Sequence, residues 1–208
     1  MQPFTVDPAT YDKRQAYDAA LAYVKAFLDL NGIAPVAEYL TEPDDTKQPP
    51  GNNPWHDKGW YWCGTLFVNL KKTRTPVKVP GFQWSFTGYK ADLTAPGVLA
   101  HEVGHHVHFE IDRKREEHYY TLQLLEHIAS VRHAEPAVSG YEPNLYEVFA
   151  EAMRLFILNP TLLAEGRPKR YSLLIGLGLK PLHQAPWREV LQHAHPKIIA
   201  ATEKWIER

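Results

Sequence analysis

Cysteine is almost absent from this chain of 208 residues, where Cys63 stands alone. A single thiol excludes an intramolecular disulfide, fits a reducing compartment, and leaves any metal chemistry to histidine, aspartate and glutamate. An excess of one charge is missing too. The net charge is −1 with both signs interspersed, which argues against a nucleic-acid partner and against a helix that lies on an anionic membrane. Long hydrophobic runs are also lacking: the longest, YSLLIGLGL, is far too short to span a bilayer. The start, MQPFTVDPATYDKRQ, has no basic segment followed by an apolar core. Together these absences lead us to expect a cytoplasmic protein with no membrane partner. What is present is 44% apolar content, enough for one substantial core. We therefore expect a single domain over residues 1–208, with its motif-bearing core at about 60–160 and a helical C-terminal part at about 161–208.

Periodicity organises the chain. Tyr17, Leu21, Val24 and Leu28 fall at helical spacing within residues 10–30, and Gly32 can adopt the left-handed conformation that closes a helix. A short strand is predicted near VAEYL. Residues 41–59 concentrate Pro, Asn, Asp and Gly without a hydrophobic period and read as an exposed loop. The period then changes to two. WYWCGTLFVNL and TPVKVPGFQWSFTG predict two to four strands of a small sheet, with Phe82, Trp84 and Phe86 alternating as a buried sheet face. From Thr94, a candidate N-cap with Pro96 in the first turn, the chain reads as helical almost to its end. One helix is expected to about Ile111 and another through Val131. After a turn at EPAVSGYEPN comes an amphipathic helix, LYEVFAEAMRLFIL, then short helices and a last one around HPKIIAATEKWIE. DRKREE reads as a solvated face. The fold class is α+β.

The most informative stretch is LTAPGVLAHEVGHHVHFE, residues 93–110. Residues four apart lie on one helix face, so His101 and His105 can aim their imidazoles at one point, an arrangement that suits zinc. Glu102 projects about 100 degrees round the helix and can reach a water there without occupying the coordination sphere. These residues compose HExxH. Gly104 removes bulk between the two histidines, where another segment can cross closely. The bland alternative is a half-exposed helix in a histidine-rich chain. His106 and His108 read as packing or surface histidines.

A catalytic zinc needs a third protein ligand. The extended pattern HExxHxxGxxH would require glycine at 108 and histidine at 111, where this chain has His108 and Ile111. The later helix offers Glu147 and Glu151, again four apart. Glu147 can bind the metal, with Glu151 accepting a hydrogen bond from a ligand imidazole and fixing its tautomer. Glu147 has a second reading, since Asn144 three residues before it makes a helix-capping pair.

HEVGHHV followed by YEVFAEAMRLFILNP resembles the gluzincin metallopeptidases, in particular the branch typified by the anthrax lethal factor catalytic domain and related bacterial and phage metallopeptidases. The detailed match covers mainly residues 91–160. The resemblance implies a zincin-like domain: a small mixed sheet packed with an active-site helix, followed by a mostly helical C-terminal half. It implies one zinc ion per chain on His101, His105 and Glu147, Glu102 as general base, and Glu151 supporting a ligand. A tyrosine before the glutamate helix often stabilises the oxyanion in this branch, and SGY offers Tyr141, for which ring packing against the turn is the other reading. The expected activity is zinc-dependent endopeptidase cleavage of a protein or peptide. The alternatives are an inactive zincin-like binding module and a zinc amidase acting on a non-protein substrate.

Overall fold

A computed structural model describes residues 1–42, 58–75, 92–114 and 118–208. Most of the 41–59 loop, the aromatic row Phe82, Trp84 and Phe86, and the end of DRKREE lie outside the described residues.

The first helix, α1 (Lys13–Leu30), starts where Asp12 accepts a hydrogen bond from the Gln15 amide at 2.8 Å. It ends in a Schellman closure. Gly32 sits at φ 58 and donates to the Asp29 carbonyl, while Ile33 reaches back to Leu28. Tyr17, Ala20, Val24, Phe27 and Leu28 form its buried stripe, which packs against the histidine-bearing helix.

Three short strands follow: β1 (Glu38–Leu40), β2 (Gly59–Trp62) and β3 (Thr65–Val68). They form a mixed sheet in the order β1-β3-β2, with β1 parallel and β2 antiparallel to β3. The β2–β3 hairpin turns on Cys63 and Gly64, both at positive φ (47 and 86). This handedness matches the strand twist of a two-residue hairpin. Central β3 buries Leu66, Phe67 and Val68 completely.

Then α2 (Ala95–Lys114) runs beside the sheet. Thr94 caps it, its hydroxyl accepting from the Gly97 amide at 3.3 Å and donating to Asp92 at 2.8 Å. After α3 (His118–Ala134) comes α4 (Leu145–Leu158). The sequence reads α4 as amphipathic, yet every residue from Val148 to Leu158 is buried. The reason is position: α4 is packed by α2, α3, α5 and α6 together, so even its polar positions have no solvent face. Closest to it lies α2. A Cβ on Gly104 would stand 2.8 Å from the Ala150 Cα and 3.0 Å from the Met153 Cβ, so glycine sets the distance at which these helices cross.

The C-terminal part is helical: α5 (Pro160–Gly166), α6 (Pro168–Gly176), α7 (Trp187–Val190) and α8 (Pro196–Ile206). Proline opens α5, α6 and α8, where the missing amide hydrogen costs nothing. Arg167 stacks on Trp205 at 4.1 Å and donates to the carbonyls of Ala137 and Trp205. This ties α8 to the turn before α4. The architecture is the expected α+β arrangement, a small mixed sheet beside a helix with a largely helical C-terminal region. Among the described residues no helix is long and apolar enough to cross a membrane.

Candidate metal centre

Two helices supply the centre. On α2 the four-residue spacing puts the His101 and His105 rings side by side, 4.9 Å apart between centroids. Opposite them, the first turn of α4 presents Glu147. Its Oε2 lies 3.0 Å from His101 Nε2 and 3.6 Å from His105 Nε2. Ligand atoms of the three residues all fall within 4.8 Å of one another, a cluster able to hold a metal ion. Glu147 Oε2 is buried yet accepts no aligned hydrogen bond. A buried carboxylate oxygen without a donor is costly unless something positive fills the gap.

Both readings of Glu147 meet at one residue. Asn144 is the N-cap of α4, its side chain accepting from the Glu147 amide at 3.0 Å. The Glu147 side chain meanwhile turns to the histidines. Glu151, one turn further, is fully buried, and its Oε1 lies 2.8 Å from His101 Nδ1. An acceptor there puts the ring hydrogen on Nδ1 and leaves the Nε2 lone pair facing the cluster.

Electrostatics show a site built for positive charge. Burial disfavours the His101 imidazolium, but the carboxylates of Glu147 and Glu151 beside it outweigh that and raise the histidine's pKa well above its usual range. Burial would raise the Glu147 carboxyl, and the two histidines overcome that and hold it low. The same contest at Glu151 is decided by the charge of Arg154 together with His101.

The cluster forms the floor of an open cleft of about 1250 Å³. Glu102 also lines this cleft and is itself buried. Its carboxylate is pressed against β2, where a Cβ on Gly59 would lie 2.9 Å from Oε1. Tyr141 stands on the other wall, half exposed, its ring centroid 5.9 Å from that of His101. The turn that carries it is held by Glu142, which accepts from the Val138 amide at 2.7 Å and from Arg170 at 3.0 and 3.1 Å.

The remaining histidines of the motif pack. His106 is buried, with Nδ1 3.0 Å from the Tyr61 hydroxyl and Nε2 2.7 Å from the Ala34 carbonyl. It pins β2 and the segment after α1 to the helix. His108 lies among Tyr146 and Phe149, 3.7 Å from Asp112. Sequence reasoning missed Arg154 and Asp92. The spacing of Glu151 and Arg154, three apart on one helix, is a readable signal for the first. Nothing local points to the second. No protein-family model, curated protein or solved structure matches this chain.

Proposed function

We propose that this chain is a single zincin-like domain acting as a zinc-dependent metalloendopeptidase, a gluzincin of the lethal-factor branch working in the cytoplasm. The observation that carries this reading is the convergence of His101, His105 and Glu147 at the floor of a cleft that Glu102 also lines. Two imidazoles and one carboxylate are a donor set suited to catalytic zinc. A zinc ion held there would supply a Lewis acid that polarises the scissile carbonyl and lowers the pKa of the attacking water toward about 7.

The chain's own residues do the rest. Glu102 takes a proton from that water as it attacks and passes it to the departing amine. Tyr141 donates a hydrogen bond to the oxygen that gains charge in the transition state, an interaction of little use to the ground state. Glu151 holds His101 in the tautomer a ligand needs. The substrate lies extended along β2, an outer strand of the sheet among the described residues and part of the cleft lining, and adds main-chain hydrogen bonds as a further strand would.

The test begins with the zinc content of protein prepared without chelator, followed by turnover on an unfolded protein substrate. Glu102→Gln is expected to keep the fold and the metal and lose about 10²- to 10⁴-fold in turnover. His105→Ala is expected to lose zinc. Normal hydrolysis by metal-replete Glu102→Gln would remove the residue from the base role, and tight stoichiometric zinc in His105→Ala would show the ligand set to be wrong. Zinc with hydrolysis confined to non-protein amides would favour an amidase.

A further inference from the structure

Arg154 is completely buried, in the middle of α4 and behind the metal cluster. Its guanidinium grips Glu151 with two hydrogen bonds, Nε to Oε1 at 3.0 Å and a terminal nitrogen to Oε2 at 2.9 Å. Oε1 is the same oxygen that meets His101 Nδ1 at 2.8 Å. With both oxygens held by a planar fork, the carboxylate cannot turn about its own axis. Its remaining lone pair is then directed at His101.

A second carboxylate, Asp92, is buried next to the start of α2; burial raises its pKa and the charge of Arg154 opposes that rise. One Asp92 oxygen accepts from the Thr94 amide and hydroxyl at 3.0 and 2.8 Å. Space for the carboxylate exists because position 97 is glycine: a Cβ there would lie 2.6 Å from the Asp92 Cβ and 2.5 Å from Oδ2. A buried arginine is expensive to desolvate, and apolar residues of similar volume commonly stabilise a core as well or better. Packing by itself therefore does not account for Arg154.

We propose that Arg154 is a positioning residue for the metal centre: it locks Glu151 so that His101 is held with its hydrogen on Nδ1 and its Nε2 lone pair facing Glu147 and His105. The inference rests on the reading of His101 as a metal ligand. It adds a third layer behind the ligand and its carboxylate partner. Supporting partners of ligating histidines typically contribute about 10- to 100-fold in metal affinity, and Arg154 acts through such a partner.

The test is zinc affinity by competition with a chromogenic chelator, measured on the full chain after metal removal. The variants are Arg154→Met, Arg154→Lys, Glu151→Gln and the Arg154→Met/Glu151→Gln double. Arg154→Met and Glu151→Gln should each weaken zinc about 10- to 100-fold. The double should be no weaker than Glu151→Gln by itself, because Arg154 has nothing left to position. Arg154→Lys keeps the charge but loses the fork, and should fall between wild type and Arg154→Met. Nitrogen NMR of the imidazoles supplies a readout that general destabilisation does not move. With zinc loaded in both proteins, the His101 Nδ1–H should give the downfield signal of a proton bonded to a fixed carboxylate in wild type, and that signal should move upfield in Arg154→Met.

Wild-type zinc affinity in folded Arg154→Met, or losses that multiply in the double, would overturn the proposal. Should Arg154→Met not fold, Arg154→Lys decides: undiminished affinity there overturns it equally. Failure of the underlying reading looks different. It would appear as a wild-type chain whose zinc binding is absent or indifferent to His105→Ala, whereas strong His105-dependent binding that ignores Arg154 sinks only the positioning role.

Discussion

Two of the places where this molecule buries ionic groups differ in what they bring together. At the turn before α4, Glu142 takes hydrogen bonds from the Val138 amide and from both terminal nitrogens of Arg170. At the crossing of α2 and α4, Glu151 is held as completely, by Arg154 and His101, but Glu147 beside it keeps a buried oxygen with no aligned donor. In the first group the carboxylate is satisfied while the buried Nε of Arg170 has no partner. The second brings three metal-ligating side chains together in a cleft. Neither burial of charge nor a missing partner therefore marks a functional site by itself. The mark is several ligating atoms arranged round one point.

The comparison can be broken by removing one partner from each place. Arg170→Met leaves the Glu142 carboxylate buried without its cation, and breaking such a pair costs about 3–5 kcal/mol. Urea unfolding should show that loss, while zinc stoichiometry in the remaining folded protein should stay at the wild-type value. Unchanged stability would mean that the turn is not held by this pair. Gly104→Ala tests the crossing itself. A methyl group forced toward the Ala150 backbone should cost about 1–3 kcal/mol, and stability and zinc affinity should fall together because both depend on the helix separation. A rise in stability would show that α4 has room to shift.

Glu147→Gln sharpens the contrast from the other side. The amide fills the same space, so the metal-free protein should lose little stability, at most about 1.5–3 kcal/mol from its lost charge contacts with His101 and His105, while zinc retention collapses. Calorimetry with and without added zinc separates the two effects, and zinc-dependent stabilisation equal to wild type would remove Glu147 from the ligand set.

The smallest expected effect is in pH dependence and concerns the C-terminal part, far from the metal question. His183 is buried, and burial lowers its pKa below the usual 6.5. Above that value the imidazole is neutral in both folded and unfolded states, so its contribution is constant. As pH falls below it, the unfolded chain takes up the proton first and stability drops. Unfolding free energies from about pH 8 down to about pH 5 should therefore decline less steeply in His183→Gln than in wild type. Identical slopes would show that this histidine titrates alike in both states.

Much of this was legible because it is local. The left-handed Gly32 and the Thr94 cap each follow from short-range geometry, and each lies where its residues predict. The amphipathic reading of α4 failed for the complementary reason. Arg154 looks like a solvent-facing position in sequence, and its pairing with Glu151 inside the core is what allows it to be buried. Arg170 and Glu142 carry no local signal at all, since their partnership spans 28 residues and two helices.

The sequence by itself determined the spacing of His101 and His105, because a helix fixes what lies four residues away. It also determined that Glu147 and Glu151 would share one side of a second helix. Whether Glu147 would serve only as part of a cap or turn toward the histidines was decided by tertiary structure. His101 and Glu151 are 50 positions apart, and their meeting depends on α4 passing close over Gly104. Helical periodicity sets direction within an element, whereas convergence between elements is set by packing, and packing is a property of the whole core.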